Sequence, residues 1–219
     1  MSVKTDTEQA THTLEPLTRG HKKKQRTRQG LLDAALRLFA RKDVFETGLL
    51  ELAEEAAVST GTIYNYFRTR EEVVEAVGIA MASEFSESIS GLSAGVENGA
   101  QRIAIGVRLF ILRAIADPNW ASALVRIVHF DKGLRSTLAM HVQADLRTGA
   151  EQGHLSFIDE SIALDLVIAC ATAGMRSAVE GRTVEQHDEK VAEMVLKGLG
   201  ASPVKAKKLA SLPLPQPNE

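Results

Sequence analysis

The stretch V-S-T-G-T-I-Y-N-Y-F, residues 58–67, decides how the rest of the chain is read. Ser59 is a helix-capping residue type, and it predicts a short helix over Thr60 to Tyr66 with Ile63 facing inward. The Thr60-Gly61-Thr62 segment is small, so the start of this helix can come close to a DNA backbone. Ser59, Thr60 and Thr62 offer hydroxyls. Tyr64, Asn65 and Tyr66 add larger polar groups on the exposed arc. The second helix of a helix-turn-helix unit uses its N-terminal residues in this way.

The flanking sequence completes such a unit. Upstream, Leu32, Ala35, Leu36 and Phe39 recur at helical spacing and predict a helix from Arg26 to Arg41. Thr47 is placed to cap a second helix, Gly48 to Glu55, whose buried face is Leu49, Leu52 and Ala53. Ala56, Ala57 and Val58 make a tight turn into the third helix. Downstream, Thr69 and Glu72 form a capping box that opens a long fourth helix. Three short helices, a three-residue turn and a long fourth helix are the helix-turn-helix pattern.

Charge agrees with a nucleic-acid partner once its distribution is considered. The 219-residue chain has a formal net charge of −2. From Arg19 to Arg70, however, eleven Lys/Arg face six Asp/Glu, and from Glu71 onward fourteen face nineteen. A basic front on an acidic body is the electrostatic footprint of a DNA reader. Residues 1–25 read as a disordered basic tail, in which Arg19, Lys22, Lys23 and Lys24 lead into Arg26 and Arg28.

The segment from about Arg26 to Val77 resembles the DNA-binding domain of the tetracycline-repressor (TetR) family. The resemblance rests on A-A-L-R-L-F, on L-A-E-E-A-A-V-S-T-G-T-I-Y-N-Y-F and on R-T-R-E-E-V, in that order and spacing. It departs from the family pattern at Gly48, where Thr or Ser is common, at Ala57, where Gly is usual, and at Leu50, where a polar residue is expected. The resemblance implies an all-α protein: a three-helix helix-turn-helix domain over 26–70, a helical ligand-binding and dimerisation domain over 71–210, and a flexible tail over 211–219. It implies DNA contacts from Arg26, Arg28, Thr47, Ser59, Thr60, Gly61, Thr62, Tyr64, Asn65, Tyr66 and Arg70, together with the backbone N–H groups opening helix four. It also implies a ligand-responsive regulator, most often a repressor released from a palindromic operator by a small molecule. An activator of the same fold is the alternative, and a helical scaffold that binds only protein is the more distant one.

The remaining sequence reads as long helices. Asp117-Pro118, Asp159, Thr183 and Ser202-Pro203 are helix starts, and Gly153, Gly181 and Gly198 are stops. The helix over 159–180 is apolar around nearly its whole circumference, which requires burial on every side. Together with the helix over 183–198 it is expected to build a four-helix homodimer interface. The ligand candidates are Phe110, Trp120, His129, Phe130, Met140 and Met175, chosen from a wider set that also held Val125, His141 and Cys170. Arg108 and Arg126 are candidates to pair with an acidic ligand.

Other classes are excluded on motif grounds. There is no H-E-x-x-H, no G-x-S-x-G and no glycine loop for phosphate, so no enzyme, cofactor or catalytic residue is expected. His129, Asp131 and His141 have poor spacing for a metal, and no metal site is expected. One cysteine, a polar N-terminus and no stretch of about 18 apolar residues point to the cytoplasm, without a disulfide or a membrane span.

Overall fold

The computed structural model describes residues 19–127 and 132–216, and among them every regular element is helical. The order is α1 (Arg19–Arg41), a single 3-10 turn (Val44–Glu46), α2 (Leu49–Glu55), α3 (Thr60–Tyr64) and α4 (Arg70–Leu92). The body follows with α5 (Gly99–Ala116), α6 (Pro118–Ile127), α7 (Lys132–Glu151), α8 (Glu160–Val179), α9 (His187–Gly198) and α10 (Pro203–Ala210).

Most of the expected helix starts hold. Ser59, Thr69, Asp159 and Ser202 each accept a backbone N–H from the first turn of the helix they open. Asp117 accepts Trp120 N–H at 3.0 Å, and Pro118 occupies the first position of α6, where its missing donor costs nothing.

Four expectations are corrected. First, α1 begins at Arg19, so residues 19–25 are helix rather than disordered tail. Lys, Arg and Gln are good helix formers, and Tyr66 donates to the Lys24 carbonyl at 3.3 Å, tying this extension to the head. Second, Gly48 and not Thr47 is the N-cap of α2. The Thr47 side chain turns back to donate to the Asp43 carbonyl at 3.1 Å. Third, α9 starts at His187, after a left-handed Gln186, and not at Thr183. A tertiary contact fixes this start, because His187 Nε2 lies 3.1 Å from the Gly174 carbonyl of α8. Fourth, α8 is long and apolar enough to cross a membrane by length and composition, contrary to the expectation of no such stretch. It nonetheless packs against α5, α6, α7 and α9 of the helical body.

The turn between α2 and α3 has the geometry of a helix stop. Ala57 has φ +53°, Ala57 N–H donates to Glu54 and Val58 N–H donates to Ala53. This is the Schellman pattern, which usually holds glycine in the left-handed position. An alanine there carries a Cβ penalty of about 1 kcal/mol. Ala57→Gly is therefore expected to raise unfolding free energy by up to about 1 kcal/mol, part of the gain being offset by glycine's unfolded-state entropy. Urea denaturation checks this, and a lower midpoint would contradict the turn geometry.

The core has two parts. One joins the head to the body: Leu31, Leu38 and Phe39 of α1, Leu52 of α2 and Ile63 of α3 are continuous with Val73 and Val77 of α4 and with Trp120, Leu124 and Ile127 of α6. The other fills the body between α5, α7, α8, α9 and α10, around Ile103, Ile111, Leu146, Val195 and Leu196. At one point backbones touch: a Cβ on Gly99 would sit 2.4 Å from both the Asp145 carbonyl and Gly149 N, so α5 opens directly against α7.

Candidate nucleic-acid interface and effector cavity

α3 presents its polar arc outward. Thr60, Gly61 and Asn65 are exposed and Tyr64 is 50% exposed, while Ile63 is buried beneath them. Ser59 and Thr62 are engaged with each other: their hydroxyls lie 2.8 Å apart, and Thr62 N–H donates to Ser59 Oγ at 3.2 Å. Those two groups shape the start of α3, and Thr60, Tyr64 and Asn65 are left as the outward polar groups. A Cβ on Gly61 would meet only Ser59 Oγ, at 4.0 Å, so the space above it is open.

The basic residues between Arg19 and Lys42 divide into two sets. Arg37 and Arg41 pair with Glu55 at 2.8 and 2.7 Å, and Lys42 pairs with Glu51 at 2.9 Å, locking α1 to α2. Hydrogen bonds from Arg37 and then Arg41 hold the Glu55 carboxyl below its ordinary range. This clamp is therefore complete above the ordinary carboxylate pKa and is lost as pH falls through the lowered one. The second set, Arg19, Lys22, Lys23, Lys24, Arg26 and Arg28, is exposed along the first turns of α1. Arg28 also lies over the Phe67 ring, 5.9 Å from its centroid.

Three expected contacts have other occupations. Thr47 is only 4% exposed, with its hydroxyl donated internally, so it offers nothing at the surface. The hydroxyl of Tyr66 is on the Lys24 carbonyl, and Arg70 donates to Glu71 at 2.6 Å. The first turn of α4 is also self-complemented. Glu72 N–H donates to Thr69 Oγ1, Arg68 N–H donates to Glu72, and the Glu71 carboxyl is held low by its own backbone N–H and by Arg70. Two acids at a helix start already satisfy its dipole, which weakens that turn as a phosphate seat.

The body encloses a cavity of about 340 Å³ between α4, α5, α7 and α8. α4 and α5 run antiparallel along it: Phe85 lies against Phe110, and Ile89 lies beside Gly106. Ser93 and Arg102 follow in the same register. Eight residues separate each end of that register, a length of about 12 Å at 1.5 Å per residue. One end is aromatic. Phe85 and Phe110 meet edge to face at 5.0 Å, and Trp120 backs both at 6.1 and 5.6 Å. The other end is polar. Arg102 Nε donates to Asp145 Oδ1 at 2.5 Å, and its Nη1 donates to the carbonyls of Val96 and Glu97. Burial pushes the Asp145 carboxyl upward against the pull of Arg102. His141, one turn before Asp145 on α7, stands at the exposed rim.

Of the expected ligand residues, Phe110 lines the cavity. Trp120 and Met175 are core residues, 2% and 0% exposed, and Trp120 reaches the cavity only through Phe85 and Phe110. Met140 is 63% exposed and is not in the lining. His129 and Phe130 lie outside the described residues. Arg108 is buried and internally paired. It donates to Asp188 at 2.9 Å, to the Leu212 carbonyl at 2.5 Å and to Glu189 at 3.5 Å, which fastens α9 and the chain end to α5. Beyond Phe110 and His141 sequence reasoning missed the lining: the polar end of Ser93, Arg102 and Asp145, and an apolar wall that includes Phe85, Ile89 and Val107. The available signal was Arg102 itself, one of three arginines on a mostly apolar helix, and it names no partner.

A helix-turn-helix head with an outward polar helix, joined through one long helix to an α-helical body around a cavity, is the two-domain architecture of bacterial regulatory proteins. Bacterial regulatory proteins of the tetR family match residues 31–77, and the tetracyclin repressor-like C-terminal domain matches residues 98–212. The chain belongs to the TetR family. Curated relatives match over part of the chain, from under a third of it to about half. The regulator LuxR of Vibrio harveyi is 40% identical over 63 residues, 29% of this chain and 31% of that protein. AcrR of Shigella flexneri is 40% identical over 67 residues, 31% of this chain and 29% of that protein. The chain thus spans less than a third of the length of these relatives. Among solved structures, RolR in complex with resorcinol has a TM-score of 0.69 at 23% identity, covering 90% of this chain and 99% of that one. FadR from Bacillus subtilis in complex with stearoyl-CoA has a TM-score of 0.67 at 16% identity, covering 78% and 98%. At these identities the likeness is one of fold.

Proposed function

We propose that this regulator is a homodimeric repressor that holds a palindromic operator and is released by a small organic effector. The observation that carries the reading is the sharing of α4 between the two sites: Val73 and Val77 near its start belong to the core of the head, where α4 packs on α1, and Phe85, Ser86 and Ile89 line the cavity. Each head sets Thr60, Tyr64 and Asn65 in a major groove, with Gly61 against the backbone. Arg26, Arg28 and the lysines of α1 add phosphate contacts, which position the head without reading sequence.

Two routes link cavity to head. Effector between α4 and α5 tilts α4 directly. It also presses on the Phe85–Phe110–Trp120 cluster, and α6 beyond it packs along α1. An effector that binds the released state a hundredfold better lowers operator affinity by about 2.7 kcal/mol. The ligands in the RolR and FadR structures support an organic effector, and a cavity of about 340 Å³ is at the small end of the range for ligand pockets.

The dimer is proposed through the helices near 159–180 and 183–198. The apolar stretch of α8, which includes Asp165, is only 28% buried within one chain. Ile162, Ala169 and Ala173 recur at helical spacing on its open side, and Met194 of α9 is also exposed. Fluorescence anisotropy on operator DNA across salt concentrations tests the phosphate contacts. With six or more contacts per dimer, log K falls against log salt with a slope of roughly −5 or steeper. A slope near zero would contradict this reading.

A further inference from the structure

Thr172 of α8 is 9% exposed and lines the cavity. A helical threonine commonly donates to the carbonyl four residues back, as Thr27 and Thr148 do. The Thr172 hydroxyl makes no such bond, and among the described residues it has no partner of any kind. Nor is it sealed: Ser93 Oγ is the one described side-chain atom that lacks both a partner and a surface that solvent reaches. Thr172 therefore keeps a reachable hydroxyl on a residue that is otherwise packed away, and the space it borders is the cavity. Solvent satisfies such a group in the unliganded protein, and a ligand that fills the space takes that solvent away.

Its surroundings define what the ligand must offer in return. Thr172 lies toward the aromatic end. Ala171 beside it packs on the cluster that holds Phe110 and Trp120, and two residues on, Gly174 faces Ile111 of α5. Ser86, the neighbour of Phe85 on α4, adds a second hydroxyl to the lining there. The charged groups are at the other end, and they answer one another: Arg102 donates to Asp145 and to the carbonyls of Val96 and Glu97. An anion entering the cavity is repelled by Asp145 and a cation by Arg102. Either one leaves water with no uncompensated partner to receive it. A pure hydrocarbon suits Ile89, Ile103 and Val107 but leaves the Thr172 hydroxyl unpaired. A hydroxyl or carbonyl oxygen accepts from Thr172 and carries no charge to desolvate.

We propose that the effector is an uncharged, oxygen-bearing apolar molecule, an alcohol, phenol or ketone, held at the aromatic end of the cavity by a hydrogen bond from Thr172. This rests on reading the cavity as the effector site. It adds the chemical class of the effector and the residue that selects it.

The test is titration calorimetry of the full chain with four probes of nearly equal size: 1-phenylethanol, acetophenone, cumene and benzoate. Thr172→Val keeps the side-chain shape and removes the hydroxyl, and Thr172→Ser keeps the hydroxyl. Thr172→Val is expected to weaken phenylethanol and acetophenone by at least about fivefold while cumene binds as before or more tightly. Thr172→Ser is expected to hold both oxygen-bearing probes within about twofold of the native protein. Benzoate is expected to bind the native protein at least about tenfold more weakly than acetophenone. Retained cumene binding shows that the Thr172→Val cavity is intact. Undiminished binding of the oxygen-bearing probes by Thr172→Val, or an equal loss of cumene, overturns the Thr172 assignment and leaves the cavity as the effector site. Benzoate binding as tightly as acetophenone overturns the uncharged class in the same way. No binding of any probe overturns both the inference and the effector reading beneath it, and leaves DNA binding to its own tests.

Discussion

Gly61→Leu abolishes specific operator binding in a protein that remains folded, with an affinity loss of at least a hundredfold. Position 61 lies in the first turn of α3, exposed, with open space where a side chain would project. In the free protein a leucine is tolerated there. Helix propensity even favours it, by up to about 1 kcal/mol over glycine. In the proposed docking the bound state differs, because the small Thr60-Gly61-Thr62 segment is the part of the head placed closest to the duplex. A four-carbon side chain there lifts α3 away and lengthens the contacts of Thr60, Tyr64 and Asn65 together. Each good base contact is worth about 1–3 kcal/mol, so losing two or three of them accounts for the drop. Circular dichroism and operator anisotropy on the same sample separate the outcomes. A stable variant with native affinity would place the reading surface elsewhere.

The second large effect belongs to the other end of the molecule. Ala169→Glu with Ala173→Glu is expected to convert the proposed α8-mediated dimer to monomers at micromolar concentration and to remove operator binding without touching the head. Both alanines are exposed in the single chain, so the glutamates are solvated there and cost little. Across the proposed two-fold axis each copy would meet its own image, and the new carboxylates would face a desolvated, like-charged surface. A single head retains only half-site contacts, and affinity falls at least a hundredfold toward non-specific binding. Light scattering reports the mass directly. A variant that stays dimeric would move the interface away from the open side of α8.

The sequence makes the head and the helix boundaries of the body legible wherever the cause is local. Capping chemistry is of this kind: Thr69, Asp117, Asp159 and Ser202 act on N–H groups two or three residues away, and each lies where spacing predicts it. The start of α9 is not of this kind. Thr183 has the right chemistry for a cap, but a contact from His187 to Gly174 of α8 sets the boundary four residues later. The N-terminal turns of α1 were missed for the opposite reason. They carry no apolar period, and their helicity comes from propensity and from one anchor, Tyr66, 42 residues away.

The cavity was the least legible part. Trp120 and Met175 have the composition of ligand contacts, yet they are core residues, because lining depends on which face of each helix meets its neighbour. Arg108 and Arg102 show the difficulty most plainly. Both are arginines on α5, six residues apart. The first is held by Asp188, 80 positions away, and the second by Asp145, 43 positions away. Only the packing of α7, α8 and α9 around α5 separates an internal fastening from a cavity wall.

The most direct test of the account is to capture genomic DNA fragments from the source organism with the purified full-length protein and to sequence them, with Gly61→Leu carried through as the matched control. The account predicts a sharply enriched palindromic site upstream of a few genes, its half-sites about one helical turn apart or a multiple of that, and no enrichment with the variant. No enriched site at low salt, or equal enrichment by Gly61→Leu, would contradict it.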